Sequence, residues 1–497
     1  MNQPDPTLRP SNPQAQRDAG IEPSTKAVSP VLRYGSFVFS VAGARVAGIL
    51  ITSLTFPYLV RHLGVETYGL WNYVLAVTAF LNILADPGFT TYAVQQVAAR
   101  RQGGFELLAD IFVLRSLSSA IALVILLIFT FLEVRLDVRQ LLRLYGGGFI
   151  VVSLLSADRF LGAVEMFHAR SVLIVTQQAL YAAGIFVLIH TPKDVVWLPI
   201  SILGSSALTA VAGWTVLWRC GYKLHATLHP EQWGGIIVPS AHYAFSSLMS
   251  TLYHRFGYFA VRWYLGDHAL GLYSAAARLV DILSQFVTLV LYVLTPRMAR
   301  SAKLGAIPRR LAQFTVGLVA LISIPLAAGL RSTAHLLVPW ILGQKYLEDI
   351  ALLKGMSFYL ITAPAASLLA GTMLYAMGRH RSYLIATSGG AVAGILLYLV
   401  LTPVFGLNGA GLGFVLAELF VAAIAYALLP RELQDLWKNP MILVATGGAL
   451  LMTLLLKIAG PYVQNLLPMV VLGASVYLLS CGWFVRGWLG RELSSAE

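Results

Sequence analysis

Apolar stretches of about 20 residues, separated by short polar segments, follow one another along nearly the whole chain. A helix rises 1.5 Å per residue and the hydrocarbon core of a bilayer is about 30 Å thick, so each stretch has the length of one membrane-spanning helix. The pattern predicts about 14 spans. They are expected at 34–60, 67–92, 107–132, 141–165, 169–190, 195–218, 236–261, 268–296, 310–330, 350–377, 382–402, 408–429, 440–459 and 464–486.

The order of the stretches predicts an all-α polytopic membrane protein in five parts. Residues 1–33 are polar, rich in proline and glutamine, and lack the apolar region of a signal peptide, so we expect a disordered cytoplasmic tail. An N-lobe of six spans should occupy 34–218, and a cytoplasmic linker 219–235. A C-lobe of six spans should occupy 236–429. Residues 430–497 should form two further spans and a cytoplasmic C-terminus.

Composition agrees with a membrane protein, because 58% of the 497 residues are hydrophobic and only 11% are charged. A soluble chain of this size carries about 25% charged residues. The longest expected loops, 219–235 and 331–349, are too short to fold as domains. Function should therefore lie within the membrane.

Basic residues give the chain a net charge of +13, and they lie in short clusters between the apolar stretches. With the N-terminus inside, lysine and arginine favour the inner side by about two to one, which predicts that both termini are cytoplasmic. Loop charge of this kind explains the basicity better than nucleic-acid binding does.

A short motif occurs twice, as LGVETYGLW at 63–71 and as LGDHALGLY at 265–273. Each copy enters a predicted span at an outer turn, and Arg61 and Arg262 precede the two copies. Chance similarity between membrane helices is the alternative, but the shared position favours duplication. Six spans separate the copies, so the halves should have the same orientation, and transporters built this way bind substrate between their halves.

Four segments carry a resemblance to a known family. They are RHLGVETYGLWNYVLAVTAFLNILADPGFTTYAVQQVAARR (61–101), LGQKYLEDIALLKGMSFYL (342–360), YAMGRHRSYL (375–384) and NGAGLGFVLAELF (408–420). The chain resembles, over roughly 34–430, the polysaccharide biosynthesis proteins, which are Wzx-type flippases of the multidrug/oligosaccharidyl-lipid/polysaccharide (MOP) exporter superfamily. The resemblance implies two pseudo-symmetric six-helix lobes around a central cavity, two additional C-terminal helices, and a cargo of undecaprenyl-pyrophosphate-linked oligosaccharide.

Arginines inside the predicted spans are the first candidates for cargo binding. A charge at the centre of a span costs about 2.5–3.5 kcal/mol on insertion scales, so it usually faces the protein interior. The resemblance places spans 1, 7 and 8 at the cavity, and Arg45, Arg255 and Arg278 are therefore predicted to hold the pyrophosphate by paired hydrogen bonds. Alternatively each pairs with a carboxylate, as Arg278 could with Asp281. Arg115, near an inner end, is expected to extend to the interface.

Acidic residues in or near spans are the candidates for coupling transport to a proton or sodium gradient, or to the membrane potential. They are Asp86, Asp281 and Glu418. Asp86 could instead cap a helix at the break ADPGF (85–89), Asp281 could only neutralise Arg278, and Glu418 could hydrogen-bond another helix. Of second rank are the neighbours of Arg255, which could carry protons or stack on sugars: His242, Tyr243, Tyr253, His254, Tyr258, Trp263 and Tyr264.

The sequence predicts a flippase of the cytoplasmic (inner) membrane that serves O-antigen, capsule or exopolysaccharide synthesis by alternating access. Its expected partners are the lipid-linked oligosaccharide, membrane lipids and other polysaccharide assembly proteins, without nucleic acid. The sequence has no P-loop, HExxH or paired CxxC motif, so we expect no cofactor, no metal and no enzyme activity. Alternatives are a MATE-like ion-coupled exporter, a lipid II flippase of the same superfamily, or a membrane glycosyltransferase, which needs larger outer loops.

Overall fold

The computed structural model describes residues 30–100, 107–222, 228–303 and 307–494. Within these ranges the chain is nearly all helical and contains no β-strand. The all-α class is therefore confirmed. Residues 1–29 of the expected N-terminal tail lie outside the described residues.

The first half of the chain contributes eight helices. They are α1 (Pro30–Ala85), α2 (Phe89–Arg100), α3 (Leu108–Leu132), α4 (Leu136–Leu141), α5 (Gly148–Leu154), α6 (Asp158–Ala163), α7 (Phe167–Leu188) and α8 (Trp197–Arg219). The second half contributes α9 (Trp233–Lys303), α10 (Arg309–Ile341), α11 (Asp349–Met356), α12 (Tyr359–Ala366), α13 (His380–Ala427), α14 (Pro440–Ala459) and α15 (Leu466–Ser494).

Three helices are long enough for two membrane crossings each. Gly43–Ala85 of α1 has 43 residues, Trp233–Ala302 of α9 has 70, and α13 has 48. All three are interrupted by a glycine with positive φ: Gly64 (74°), Gly266 (85°) and Gly406 (59°). Each of these glycines falls in a gap predicted between two spans, where a residue without Cβ tolerates the left-handed backbone.

Among the described residues, ten helical segments are long and apolar enough to cross a bilayer, and Leu466–Gly482 is a shorter apolar helix. The polytopic character is therefore confirmed. The count of 14 spans and the five-part division of the chain stay predictions.

The two copies of the repeated motif pack directly against each other where α1 crosses α9. A Cβ added to Gly69 would lie 2.6 Å from the backbone N of Gly271 and 2.8 Å from its Cα. A Cβ on Gly271 would lie 2.7 Å from Cγ1 of Val65. Because Gly69 and Gly271 occupy the same place in the two copies, this contact lies close to the axis that relates the lobes. It is surrounded by the largest apolar core, which draws residues from both lobes, such as Val60 and Leu272.

Two predicted spans are not continuous α-helices. In 141–165, a π-helical segment at Leu142–Gly147 joins α4 to α5, and the chain breaks again before α6. In 350–377, α11 and α12 are followed by a π-helical segment at Ser367–Leu374. Glycines at 146–148 weaken the first region, and Pro364 in α12 removes a backbone donor just before the second.

Helix boundaries correct two further expectations. The loop expected at 331–349 is mostly helix, because α10 continues to Ile341. The segment beyond Arg331 is largely apolar and extends the helix. The span expected at 67–92 ends early, since α1 stops at Ala85 and α2 begins at Phe89. The break occurs at the Asp86–Pro87 step, where Pro87 cannot supply a helical N–H.

Candidate functional site

A cavity of about 400 Å³ lies between the two lobes. One side of the cavity is lined by α1 (within 51–59 and 68–75) and α7 (within 178–181), and the other side by α9 (within 254–281). Aromatic side chains form much of the wall, namely Phe56, Tyr68, Trp71, Tyr181, Tyr258, Tyr359 and Phe414. We call it the central cavity.

Two of the three arginines predicted to bind the head group, Arg255 and Arg278, line the central cavity. The Cζ atom of Arg255 lies 5.7 Å from the ring centre of Tyr258, and this arginine forms no ion pair within the described part of the chain. Arg278 donates to Asp281 over 3.3 Å, with both side chains about 40% exposed. A pair this exposed contributes little to stability, so an incoming anion can displace Asp281. Among the described residues that line the central cavity, Asp281 is the only acidic one, so the two arginines give the lining an excess of positive charge.

Glu418 is buried on α13, outside the cavity wall, and reaches the cavity through His254. The Nε2 atom of His254 lies 3.4 Å from Oε1 of Glu418, and its Nδ1 lies 2.8 Å from the carbonyl oxygen of Ser250. Because Nδ1–H donates to that carbonyl, the contact with Glu418 needs a proton on Nε2 or on the carboxyl. The two side chains can therefore hold one proton beside the cavity. The contact with another helix expected for Glu418 is present.

Arg45 does not line the central cavity. It lies in a neighbouring cavity of about 210 Å³ together with Arg170, and Thr52 and Gln178 line both cavities. The helical turn that carries Arg45 is two turns from the part of α1 that faces the central cavity. Sequence position alone could not distinguish these two levels of one helix.

Asp86 and Arg115 form an ion pair inside the N-lobe, away from the central cavity. Asp86 accepts a hydrogen bond from the backbone N–H of Thr90 at 3.0 Å, which is the helix cap proposed as the alternative for this residue. Arg115 Nε lies 3.4 Å from Asp86, and its Nη2 donates to the carbonyl of Ser153 at 2.8 Å. Arg115 is 5% exposed, so the expectation that it extends to the interface is wrong. Hydrogen bonds to the carbonyls of Ser153 and Leu154, at the end of α5, hold Arg115 in place instead.

An ion network joins the lobes on the face predicted to be outside, and we call it the outer clamp: Glu133, Arg135, Arg262 and Asp267. Arg262 donates to both oxygens of Glu133, at 2.9 and 3.0 Å, and to Asp267 at 2.9 Å. Arg135 donates to Asp267 at 2.7 Å. Burial acts to raise the pKa of the Glu133 carboxyl, but the hydrogen bonds from Arg262 bring this pKa below its ordinary value.

The arginines that precede the two motif copies play matching parts in closing this face. Arg262 reaches from the C-lobe to Glu133 of the N-lobe, while Arg61 reaches from the N-lobe to the carbonyls of Trp340 and Ile341 at the end of α10. The sequence predicts an outer position for both arginines but does not show that they join the lobes. The repeated motif, offset by 202 residues, was the available signal, because an arginine precedes each copy, by two residues at Arg61 and by three at Arg262.

A second large space, of about 540 Å³, is an apolar groove between α10 and the C-terminal helices α14 and α15. Its walls include Leu326, Leu330, Met452 and Met469. Leu283 of α9 also lines the groove, two residues beyond Asp281 of the central cavity. The groove and the central cavity therefore meet the same part of α9. No group of three or more metal-binding side chains occurs in the described ranges.

Two repeat-related helical lobes, a cavity with arginines between them and a closed seam on one face define an architecture typical of membrane transporters. Solved structures share this fold. "Lipid II flippase MurJ, inward closed conformation" aligns with TM-score 0.74 and 15% identity, over 91% of this chain and 99% of that one. An inward-facing multidrug resistance MATE family transporter of the MOP superfamily aligns with TM-score 0.61 and 15% identity, over 80% and 99%. An outward-facing conformation of a multidrug resistance MATE family transporter of the MOP superfamily aligns with TM-score 0.57 and 16% identity, over 81% of this chain and 96% of that one.

Residues 36–302 match the family model described as polysaccharide biosynthesis protein. The chain belongs to this family, and the resemblance found in the sequence is confirmed. A search of curated protein sequences gives no match.

Proposed function

We propose that this protein is a flippase of the cytoplasmic membrane that moves polyprenyl-pyrophosphate-linked oligosaccharide between leaflets by alternating access. The observation that carries the proposal is Arg255, a guanidinium without an ion-pair partner among the described residues, in a cavity between the lobes. A cationic-drug exporter requires acidic groups in that place, and here arginine predominates. Membership of the polysaccharide biosynthesis family supports a glycan cargo.

The pyrophosphate binds in this proposal to Arg255 and Arg278, whose guanidinium forks match pairs of phosphate oxygens. Asp281 holds Arg278 in place while the cavity is empty and is displaced when the anion enters. Sugars then lie against the aromatic wall, where flat apolar ring faces alternate with a few polar groups such as Asn72 and Gln178.

The polyprenyl chain remains in an apolar environment throughout. The groove between α10, α14 and α15 supports this part of the proposal, because it is apolar and large and borders the same helix as the cavity. Each buried CH₂ favours an apolar environment by about 0.8 kcal/mol, so a long lipid stays in the groove or the bilayer while its head group crosses.

Coupling belongs in this proposal to Glu418 and His254, which hold a proton between them beside the cavity. Asp281 lines the same cavity as His254 and pairs with Arg278, so in this proposal it links the proton to the head-group arginines. Asp86 is a weaker candidate, because its carboxylate already accepts a helix-cap hydrogen bond and pairs with Arg115. A sodium ion or the membrane potential is the alternative driving force.

Reconstitution in liposomes tests the proposal. A fluorescent polyprenyl-pyrophosphate glycan should exchange between leaflets with the wild-type protein, and Arg255→Ala should lower the rate at least about tenfold, as expected for a lost charged hydrogen bond. Arg219→Ala is the matched control, because Arg219 is exposed at the end of α8 and lines none of the cavities described above. Lipid II and a soluble organic cation are tested in parallel. Transfer of the cation alone would refute the proposal, and transfer of lipid II alone would restrict it to the peptidoglycan precursor.

A further inference from the structure

The cavity beside the central one contains two arginines and no acidic residue in its described lining. We call it the arginine pocket: Arg45 and Arg170 from the N-lobe, Gln285 and Tyr292 from the C-lobe, and Thr52 and Gln178 shared with the central cavity. Its volume is about 210 Å³. Since both lobes line it, its shape depends on how the lobes are placed.

The positive charge of the arginine pocket is not balanced by the protein. Arg45 and Arg170 form no ion pair in the ranges that the structure describes. The Nε atom of Arg170 is buried and has no hydrogen-bond partner there. A buried donor on a cation is costly to leave without an acceptor. The pocket therefore has the chemistry of a site for an anion with several acceptor oxygens.

The arginine pocket adjoins the central cavity, because Thr52 and Gln178, which carries a side-chain amide, line both. This amide lies over Gly48, where an added Cβ would be 2.8 Å from Nε2 of Gln178. Arg45 precedes Thr52 by about 10 Å along α1, and Arg170 precedes Gln178 by about 12 Å along α7, from the helical rise. The two arginines of the pocket therefore lie about two helical turns from the residues that the pocket shares with the central cavity.

We infer that the arginine pocket is a loading site, at which the phosphate oxygens of the cargo bind before they pass to Arg255 and Arg278. The inference rests on the proposed function and deepens it. Arg45 and Arg170 lie on the side predicted to face the cytoplasm, where the lipid-linked cargo enters. The first pair of arginines captures the anion, and the second holds it at the level where the lobes alternate.

Arg170 also has a packing role, which the test has to separate from binding. Its Nη1 lies 2.9 Å from the place of a Cβ on Gly162, so the guanidinium covers α6. Loss of packing would lower stability and the amount of active protein. Loss of a loading site would instead raise the lipid fraction needed for half-maximal transfer and leave the maximal rate unchanged.

Transfer is therefore measured in proteoliposomes of the full-length protein over a range of fluorescent polyprenyl-pyrophosphate glycan. Arg45→Gln and Arg170→Gln should each raise the half-saturating lipid fraction about tenfold at unchanged maximal rate, as expected for one charge-assisted hydrogen bond. Arg255→Gln should lower the maximal rate. Arg170→Lys should restore part of the affinity, and Arg219→Gln should behave as wild type. If Arg45→Gln and Arg170→Gln match Arg219→Gln, the inference is overturned.

Binding of inorganic pyrophosphate to the purified protein separates failure of the inference from failure of the proposed function. The variant with Arg255→Gln and Arg278→Gln should still bind pyrophosphate, in a salt-sensitive manner, and adding Arg45→Gln and Arg170→Gln to that variant should abolish this remaining binding. If no lipid is transferred by wild type but this binding pattern holds, the pocket is an anion site of a transporter with another cargo. If the fourfold variant binds pyrophosphate as well as the variant with Arg255→Gln and Arg278→Gln alone, the pocket is no anion site.

Discussion

Replacing Arg262 with glutamine removes the central cation of the outer clamp and should open the face that the clamp closes. The Arg262 side chain is 16% exposed and that of Glu133 is 10% exposed, so the pair is largely shielded from water. Removing one partner of a buried pair costs about 3–5 kcal/mol, because the other charge stays buried without compensation. When the lobes separate at this face, Glu133 meets water and the penalty disappears.

The closed state therefore loses stability relative to the open state. Partial exposure and the remaining contacts of Arg135 with Asp267 reduce the effect, and we take about 2 kcal/mol as the difference. This corresponds to roughly a 30-fold change in the ratio of closed to open molecules, since about 1.4 kcal/mol is tenfold. Glutamine is close to arginine in polarity and fills part of the same space, so the change acts mainly on charge.

Spin labels report the ratio directly. Lys193 and Lys345 are exposed on the predicted outer face, one in each lobe. The two native cysteines, Cys220 and Cys481, are first replaced by serine, and cysteines that carry the labels are then introduced at positions 193 and 345. The distance distribution should gain a longer component in Arg262→Gln. Arg143→Gln is the matched control, because Arg143 donates to Thr130 within the N-lobe. An unchanged distribution in Arg262→Gln would show that the clamp does not hold the lobes together.

The clamp should also tolerate moderate acid. The pKa of Glu133 in the closed state lies below its ordinary value. The closed state therefore gains stability from the ionised Glu133 at all pH values above about 4.3, the ordinary pKa of a glutamate side chain. This contribution is lost only as the pH falls further, through the lowered pKa. The wild-type distance distribution should therefore be the same at pH 7 and at about pH 5.5 on the outer side.

Two other predictions test the crossing of the lobes and the coupling site. Gly271→Ala should lower the thermal midpoint of unfolding by several degrees, because the added Cβ would collide with the backbone of Val65 and overpacking costs about 1–3 kcal/mol. Gly204→Ala is the control, because Gly204 has open space around it and this change should leave the midpoint unchanged. Equal midpoints for the two variants would refute the close contact. Glu418→Gln should make transfer insensitive to an imposed proton gradient while cargo binding persists, which is measured as the transfer rate with and without the gradient. A gradient response equal to that of wild type would exclude Glu418 as the coupling residue.

Features that depend on local sequence were predictable. A spanning helix needs a long apolar run, and a turn between two spans needs a residue that tolerates positive φ, so the gaps at Gly64, Gly266 and Gly406 could be located. The break at Asp86 also followed from its neighbours, since a carboxylate before proline both ends one helix and caps the next. The motif repeat was visible because its glycines recur at equal spacing.

Features that depend on which helices meet were not predictable in the same way. Arg115 was expected at the interface because the sequence does not show that Asp86 and the carbonyls of 153–154 face it. Arg45 was assigned to the central cavity because the sequence places it on the correct helix but not at a level along that helix. The outer clamp joins Glu133 and Arg262, which are 129 positions apart, and no local pattern in the sequence pairs them.

The glycine crossing of α1 and α9 has a mechanical consequence. Gly69 and Gly271 bring two backbones together with no side chain between them, at a point near the axis that relates the lobes. A contact on the axis moves little when the lobes rotate, so it serves as a fulcrum. Each rotation that widens one face narrows the other by a similar angle. In the proposed alternating-access cycle, such a lever has no position in which both faces are open, so the membrane stays sealed to ions while the cargo crosses.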